Sequence, residues 1–414
     1  MIYVPFIYFT ILFIIMWRKQ KSITVSSLIV IFYIISSFFA IIIKIENLWV
    51  DNLNFPKIDI IPTILYCSLL TISIIPFYSF RSEKIKSIKL KNIKMFFVIS
   101  WILIILSIIS LAIVLPNIKT TLSLDFFNVR KDYNQDAGTF YEFSGMPWYQ
   151  YLINFAPSFS PILILFFFYS IVYLDNKKIF NILLVFASII LSLNSILTAS
   201  RTQVIYWIMT FSVFYIFFKP HMTTKIKRQI NILFVIIGVI GLVYLFAVTI
   251  SRFEKRNVGT EGSLILYTGQ SFPQFCNVYN HYTFDEITID RVLPITSKYI
   301  LGHRFTKVEY RSSQSIRIGA ETGVFFTFLG DAMLDFGKFG MIIYTLIFYL
   351  IARISLKRRN QSIITLSQMV VLVLLIRLPL LGLFAYVYTS IDSSIMILGS
   401  LIIAYLFKYK IIYK

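Results

Sequence analysis

The segment Arg317–Gly340, RIGAETGVFFTFLGDAMLDFGKFG, joins a long polar loop to an apolar run of helix length. Four charged residues, Glu321, Asp331, Asp335 and Lys338, lie among its phenylalanines, and five glycines interrupt it. Charged side chains close to lipid are costly, so each needs a function or a partner that offsets the cost. The rest of the chain shows why lipid is expected beside this segment.

The composition predicts a membrane protein. Of the 414 residues, 58% are hydrophobic and 14% are charged, and the mean hydropathy is +0.79. Apolar runs near 20 residues long recur from end to end. These runs are continuous rather than alternating, which indicates helices instead of the strands of a barrel. We therefore expect an all-α polytopic membrane protein.

The apolar runs predict about eleven membrane-spanning helices. They lie at about 2–17, 23–43, 59–80, 95–115, 151–174, 179–198, 202–218, 230–250, 333–353, 363–382 and 385–407. The first run lacks the basic leader and cleavage site of a signal peptide, so we expect a retained helix with its N-terminus outside.

The basic residues lie mostly on one side of this arrangement. The predicted connections on that side carry 22 lysines and arginines against only Glu83 and Asp175, which accounts for the whole net charge of +20. The positive-inside rule makes this side the cytoplasm and places the C-terminus there. The charge is thereby explained by topology and anionic lipid, and no nucleic-acid partner is expected.

The predicted domain organisation is a single transmembrane domain over residues 1–414, with outer loops at about 44–58, 116–150 and 251–332. The last loop exceeds an ordinary connection, which favours a structured or functional role. The cytoplasmic connections contain no glycine-rich phosphate loop, so any chemistry is expected on the outer face. The cysteines and histidines have no disulfide or metal-ligand spacing, so neither a metal nor a cofactor is predicted.

Three arginines on the predicted outer side are candidates for binding a phosphate group. Arg201 lies at a tight hairpin in a Ser/Thr-rich notch, Arg252 leaves the eighth span, and Arg317 ends the long loop. Guanidinium groups bind phosphate oxygens through paired hydrogen bonds, which suits the diphosphate of a lipid-linked donor. The alternative is that such residues snorkel to lipid headgroups.

A fourth arginine lies inside a span. Arg377 interrupts the run VLVLLIRLPLLG, residues 371–382. A basic residue there costs a few kcal/mol or more, so it should face a cavity or a carboxylate. The two interpretations are substrate binding and a structural ion pair with Asp392 across a short turn.

The carboxylates of the quoted segment are candidates for a general base. Glu321, Asp331 or Asp335 could accept the proton of an acceptor hydroxyl. Asp331, Asp335 and Lys338 share one helical face, because they are spaced four and three residues apart. The alternative is that the two aspartates pair with Lys338 or with arginines and only fix the loop.

Two local motifs and the overall layout point to a known family. The stretch FTFLGDAMLDFGKFGMIIY, residues 326–344, contains a Gly-acidic pair, an Asp-Phe-Gly and a second glycine at the start of a span, and ASRTQ lies at residues 199–203. Both motifs, and the long outer loop before the last spans, resemble the O-antigen polymerase (Wzy) family. An Arg, ten residues, Gly pattern described in some members also occurs, from Arg291 to Gly302.

The resemblance implies a glycosyltransferase-C-like fold in the bacterial inner membrane and a metal-independent glycosyltransferase. The implied reaction transfers a growing glycan from undecaprenyl diphosphate to a new lipid-linked repeat unit on the periplasmic face. The expected partners are the lipid-linked oligosaccharide donor and acceptor and a chain-length regulator protein. In this interpretation Arg201, Arg252, Arg317 and Arg377 bind the diphosphate, Glu321 is the first candidate for the base, and Asp331 is the second.

Three alternatives stay open at the level of sequence. An O-antigen ligase would share the layout, but its histidine-containing loop signature is not evident. A lipid-linked oligosaccharide flippase would be expected to have twin halves and charges within several spans. A scaffolding role is the third alternative, but it would not explain an arginine inside a span.

Overall fold

The computed structural model describes residues 1–49, 55–122, 126, 129, 155–174, 178–253, 259–283, 287–302, 307–357 and 362–408. We number fifteen α-helices of this part of the chain in chain order. They are α1 Val4–Gln20, α2 Val25–Ile45, α3 Ile60–Phe80, α4 Ile93–Leu122, α5 Ser160–Tyr173, α6 Lys178–Asn194, α7 Thr202–Phe218, α8 Thr224–Phe253, α9 Gly259–Gly269, α10 Ser271–His281, α11 Pro294–Tyr299, α12 Lys307–Ile318, α13 Thr327–Ser355, α14 Leu366–Leu381 and α15 Ile391–Lys408.

The all-α membrane class is confirmed. Within the described ranges, eight helices are long and apolar enough to cross a membrane: α2, α3, α4, α6, α7, α8, α13 and α15. Two further apolar helices, α5 and α14, are shorter. A helix occupies each apolar run named from the sequence. The strands β1 Ser87–Lys89 and β2 Ile363–Thr365 form a short parallel pair, with Ser87 opposite Ile363.

The region expected to be the long outer loop, 251–332, is largely helical. It contains α9, α10, α11 and α12, and α13 begins at Thr327, six residues before the predicted start of that span. Of the shorter outer loop at 116–150, α4 covers the first residues up to Leu122. The rest of that loop, apart from Phe126 and Val129, lies outside the described residues.

The described chain divides into two compact units. The first unit contains residues 1–82, 253–357 and 375–394, and the second contains 83–252, 358–374 and 395–414. Aromatic side chains fill the core of each unit, because large flat rings bury much apolar area. Examples are Tyr33, Tyr66 and Phe272 in the first unit, and Phe168 and Phe211 in the second.

Close helix packing within the first unit depends on a glycine at the end of α9. A Cβ atom on Gly269 would lie 2.5 Å from the backbone nitrogen of Ala40 and 2.5 Å from the carbonyl carbon of Phe39. Only a residue without a side chain allows α9 to approach α2 this closely. This contact holds α9 against α2, one of the helices that are long and apolar enough to cross a membrane.

Candidate functional site

The start of α13 is held by the loop that follows α14. The backbone N–H of Thr327 donates to the carbonyl of Phe384 at 3.0 Å, and that of Phe328 donates to the carbonyl of Gly382 at 2.8 Å. The first N–H groups of a helix have no partner within the helix, so these bonds satisfy two of them. Thr327 has a positive φ of 66°, which is unusual for a β-branched residue. The flanking bonds keep it in that conformation.

Gly337 divides α13 into two helices. Its φ of 73° and ψ of 178° are not helical, so the chain bends between the short segment 327–336 and the long segment 338–355. Glycine is the residue that adopts this conformation readily. The short segment is almost entirely buried, and it carries both aspartates.

Asp331 forms a buried ion pair with Arg291. Asp331 is 2% exposed and Arg291 is 6% exposed, and one carboxylate oxygen of Asp331 accepts from the guanidinium. The other oxygen accepts from the backbone N–H of Tyr386 at 2.7 Å. The Arg291 guanidinium lies 5.4 Å from the centre of the Phe326 ring and also reaches the carbonyl of Thr322. Both oxygens of Asp331 are thus engaged within the protein.

Asp335 binds the segment that carries Arg291. One carboxylate oxygen accepts from the Thr288 hydroxyl at 2.9 Å. The other accepts from the backbone N–H groups of Arg291 at 2.9 Å and of Val292 at 2.8 Å. The backbone carbonyl of Asp335 accepts from the N–H of Thr288 at 2.7 Å. Charge-assisted bonds of this kind are stronger than neutral ones, so Asp335 fixes residues 288–292 to α13.

Lys338 does not pair with either aspartate. Its ammonium group lies 4.4 Å from the centre of the Tyr279 ring on α10, a cation–π distance. Burial raises the pKa of the Tyr279 hydroxyl above its usual value. Of the ion pairs expected for the two aspartates, the described residues show that of Asp331 with an arginine.

Arg377 lies in α14 against a cluster of tyrosines. Its side chain is 7% exposed, and its guanidinium lies 5.5 Å from the centre of the Tyr388 ring. The Tyr388 ring lies 5.7 Å from that of Tyr386, which lies 6.1 Å from that of Tyr344. Asp392, the expected structural partner, makes no ion pair with Arg377 in the part of the chain that the structure describes.

Glu321 and Arg317 lie at the edge of this buried region. Glu321 is exposed, and its carboxylate accepts from the backbone N–H of Gly323 at 2.6 Å. Its backbone carbonyl accepts from the side-chain amide of Gln274. Arg317 is half-buried and donates to the side-chain oxygen of Gln314 at 2.7 Å. Glu321 is therefore the more accessible of the two candidate bases.

The first unit thus brings several predicted residues together. Arg291 contacts Asp331, Asp331 contacts the backbone of Tyr386, and the tyrosine cluster leads on to Arg377. Arg317 and Glu321 belong to the same unit.

Arg201 belongs to the second unit. Its side chain is 3% exposed and donates to the Thr249 hydroxyl on α8 at 2.9 Å. The hydroxyl of Tyr244, also on α8, donates to the carbonyl of Ser200 at 3.2 Å. The guanidinium is therefore buried in protein rather than extended to lipid headgroups. The side chain of Arg252, near the end of α8, lies outside the described residues.

Comparison with protein-family models, curated proteins and solved structures finds no match.

Metal ligands do not cluster in the described ranges. No group of three or more His, Cys, Asp or Glu side chains in these ranges could hold a metal ion. Burial raises the pKa of the Cys276 thiol on α10 well above its usual value, so this thiol stays protonated at neutral pH.

Arg291 is the site residue that the sequence did not single out. It appeared only as the first residue of the Arg291–Gly302 pattern. A signal was nevertheless present, because an aspartate buried in a helix requires a cation or several donors. Nothing in the spacing identifies which of the loop arginines meets it.

Proposed function

We propose that this chain polymerises undecaprenyl-diphosphate-linked oligosaccharide repeat units into a bacterial surface polysaccharide. The observation that carries the proposal is a buried charged cluster at the start of α13, whose long segment has the length of a membrane span. The cluster contains Arg291, Asp331 and Arg377. Ionisable residues at membrane depth are typical of substrate sites. The two motifs that resemble the O-antigen polymerase family include Asp331 and Arg201.

The proposed reaction forms one glycosidic bond and breaks one bond to phosphate. The hydroxyl oxygen at the non-reducing end of the acceptor attacks the anomeric carbon of the donor glycan. The bond from that carbon to the diphosphate oxygen breaks, and undecaprenyl diphosphate leaves with the electron pair. The hydroxyl proton passes to a carboxylate of the protein. No oxidant, reductant or nucleotide is consumed.

Glu321 is the preferred base. It is exposed, and one carboxylate oxygen is bound by a backbone N–H from a residue two positions away. Asp331, the second candidate, already gives one oxygen to Arg291 and the other to the N–H of Tyr386. A base must reach the proton that it accepts, so these contacts favour Glu321.

Arg317 and Arg377, which both belong to the first unit, are proposed to bind the diphosphate. For Arg201 and Arg252, which belong to the second unit, the same role stays a prediction. Arg317 supports this role best, because its Nε is buried without a hydrogen-bond partner among the described residues. Guanidinium groups in a site of low dielectric constant stabilise the charge that develops on a diphosphate leaving group. No cofactor is required by this chemistry.

The surface glycan of a deletion strain tests the assignment. We expect single capped repeat units in place of a ladder of chain lengths. Full-length chains left on undecaprenyl carriers would indicate a ligase, and a cytoplasmic build-up of repeat units would indicate a flippase. An unchanged ladder would refute the proposal.

The role of Glu321 is tested by Glu321→Gln expressed in the deletion strain. Loss of a general base slows a reaction by about 10²- to 10⁴-fold, so the ladder should collapse toward single repeats while the protein level is unchanged. Glu46→Gln is the matched control, because Glu46 is also exposed but lies at the end of α2. Normal chain lengths with Glu321→Gln would remove this residue from the role.

A further inference from the structure

A cluster of exposed apolar side chains surrounds the short helix α11. Leu293 is 49% exposed, Ile300 is 75% exposed and Leu301 is 52% exposed. Tyr299 is 58% exposed. Single exposed apolar residues are common, but four within nine residues form a patch that needs a partner. None of these residues belongs to a membrane-spanning helix.

Around α11, apolar side chains are exposed while a serine is buried. The serine, Ser297, is 4% exposed and donates to the carboxylate of Asp290 inside the protein. Ile300, just beyond the helix, is the most exposed residue of the group. A helix in water buries its apolar face instead. Ser297 is thus satisfied within the protein, while Lys298 and the apolar side chains at the two ends of α11 are exposed.

Asp335 ties the start of α11 to α13. The carboxylate of Asp335 binds the N–H groups of Arg291 and Val292, and α11 begins two residues later at Pro294. Asp335 itself lies two residues before the bend at Gly337. The start of α11 is therefore tied to the start of the long segment of α13.

From the length of the segment after the bend, we expect that start to lie at a membrane boundary. From Lys338 to Ser355 the helix rises about 1.5 Å per residue, or about 27 Å in all, close to the ~30 Å hydrocarbon thickness of a bilayer. Phe339, at its first turn, is 80% exposed, as expected for a side chain that meets lipid. Lys338 at this end and Arg353 at the other mark the two boundaries.

The chemistry of the patch suits the headgroup layer. The ammonium group of Lys298 lies 5.5 Å from the centre of the Tyr299 ring. Tyrosine and lysine concentrate at membrane interfaces, where an apolar body meets lipid and a polar end meets water or phosphate. Leucine and isoleucine beside them supply the apolar area that enters the bilayer surface.

We infer that residues 293–301 form an interfacial segment that lies in the lipid headgroup layer. The exposed apolar side chains contact the bilayer surface on the side of the membrane where the long segment of α13 begins. Asp335 holds the segment at that depth. The inference rests on exposure and on the Asp335 contacts, so it is independent of the polymerase proposal.

Spin labels test the depth of the segment. Ile300→Cys and Leu301→Cys are introduced after the buried Cys67 and Cys276 are replaced by alanine. The labelled protein is placed in nanodiscs of phosphatidylethanolamine and phosphatidylglycerol. Collision with oxygen, which concentrates in lipid, is compared with collision with a water-soluble nickel chelate. Ile347→Cys on α13 is the lipid reference, and Lys57→Cys, with a side chain 83% exposed, is the aqueous reference.

We expect both labels to give oxygen-to-nickel ratios shifted from the Lys57 value toward the Ile347 value. Ratios equal to the aqueous reference would overturn the inference, since the segment would lie in water. Low collision rates with both reagents would also overturn it, since the patch would then be covered by protein or a second copy. Using two positions guards against a label that disturbs one site, and only samples that elute as a single species are compared.

Discussion

At the scale of single residues, the Arg291–Asp331 pair shows how buried charge is stabilised here. Both side chains are almost fully buried, and Asp331 accepts a further hydrogen bond from the backbone of Tyr386. Removing two charges from water costs several kcal/mol per ion, and only close contact with additional hydrogen bonds compensates for it. Asp331 is therefore anchored by its environment, which suits a positioning role beside a more accessible Glu321.

A double-mutant cycle tests the pair. Arg291→Gln or Asp331→Asn alone should lower the free energy of unfolding by about 3–5 kcal/mol, because each leaves an uncompensated buried charge. The double variant should be less destabilised than the sum of the two, by about 0.5–3 kcal/mol. Thermal unfolding of the purified protein in detergent measures all three.

The exposed pair of Lys57 and Asp59 is the control for that cycle. Lys57 Nζ lies 3.0 Å from Asp59 Oδ1, and the two side chains are 83% and 37% exposed. Lys57→Gln should therefore change the free energy of unfolding by no more than about 1 kcal/mol. Strictly additive effects of Arg291→Gln and Asp331→Asn would contradict the assigned ion pair.

At the scale of elements, the bend at Gly337 gives α13 two roles. The short segment before the bend is buried and carries Asp331 and Asp335, and the long segment after it has the length of a membrane span. If α13 were one continuous helix, the segment that carries the two aspartates would lie on the same axis as the membrane span. The glycine lets the charged segment turn into the protein.

Gly337→Ala tests the bend. Alanine at φ 73° and ψ 178° should cost about 1–3 kcal/mol, because side-chain-bearing residues rarely adopt this conformation. Gly238→Ala on α8 is the matched control, since a Cβ atom there would meet nothing within 4 Å. That substitution should be neutral or stabilise the helix by about 0.5–1 kcal/mol. Equal unfolding midpoints for the two variants would show that the bend does not require glycine.

At the scale of the whole molecule, the uneven distribution of basic residues predicts orientation. The 22 basic residues of one set of connections account for the net charge of +20, and the remaining basic and acidic residues balance. The positive-inside rule assigns that set to the cytoplasm, with the N-terminus outside. The described part of the structure has eight helices of span length, and both the total number of spans and the orientation stay predictions.

Cysteine labelling in intact cells tests the orientation. Lys57 and Lys225 are both exposed, and they fall in connections predicted to lie on opposite sides. In the variant without Cys67 and Cys276, Lys57→Cys should react with an impermeant maleimide once the outer membrane is opened. Lys225→Cys should react only after the inner membrane is made permeable. The reverse pattern would invert the proposed topology and move Glu321 to the cytoplasmic side.

The sequence by itself determined the all-α membrane class and the positions of the apolar helices, because apolar runs of span length have few alternatives in a bilayer. It also identified Asp331, Asp335 and Arg377 as residues that need an explanation. A charge near lipid is costly whichever way the side chain points around the helix.

Only the tertiary structure decided which groups meet these charges. The partner of Asp331 is Arg291, 40 residues away in the chain, and the donors to Asp335 are the hydroxyl of Thr288 and backbone N–H groups. Helical periodicity fixes the face on which a side chain lies but carries no information about which distant segment packs against that face. The same reason explains why the helices of the expected loop and the exposed apolar side chains around α11 emerged only from the packed chain.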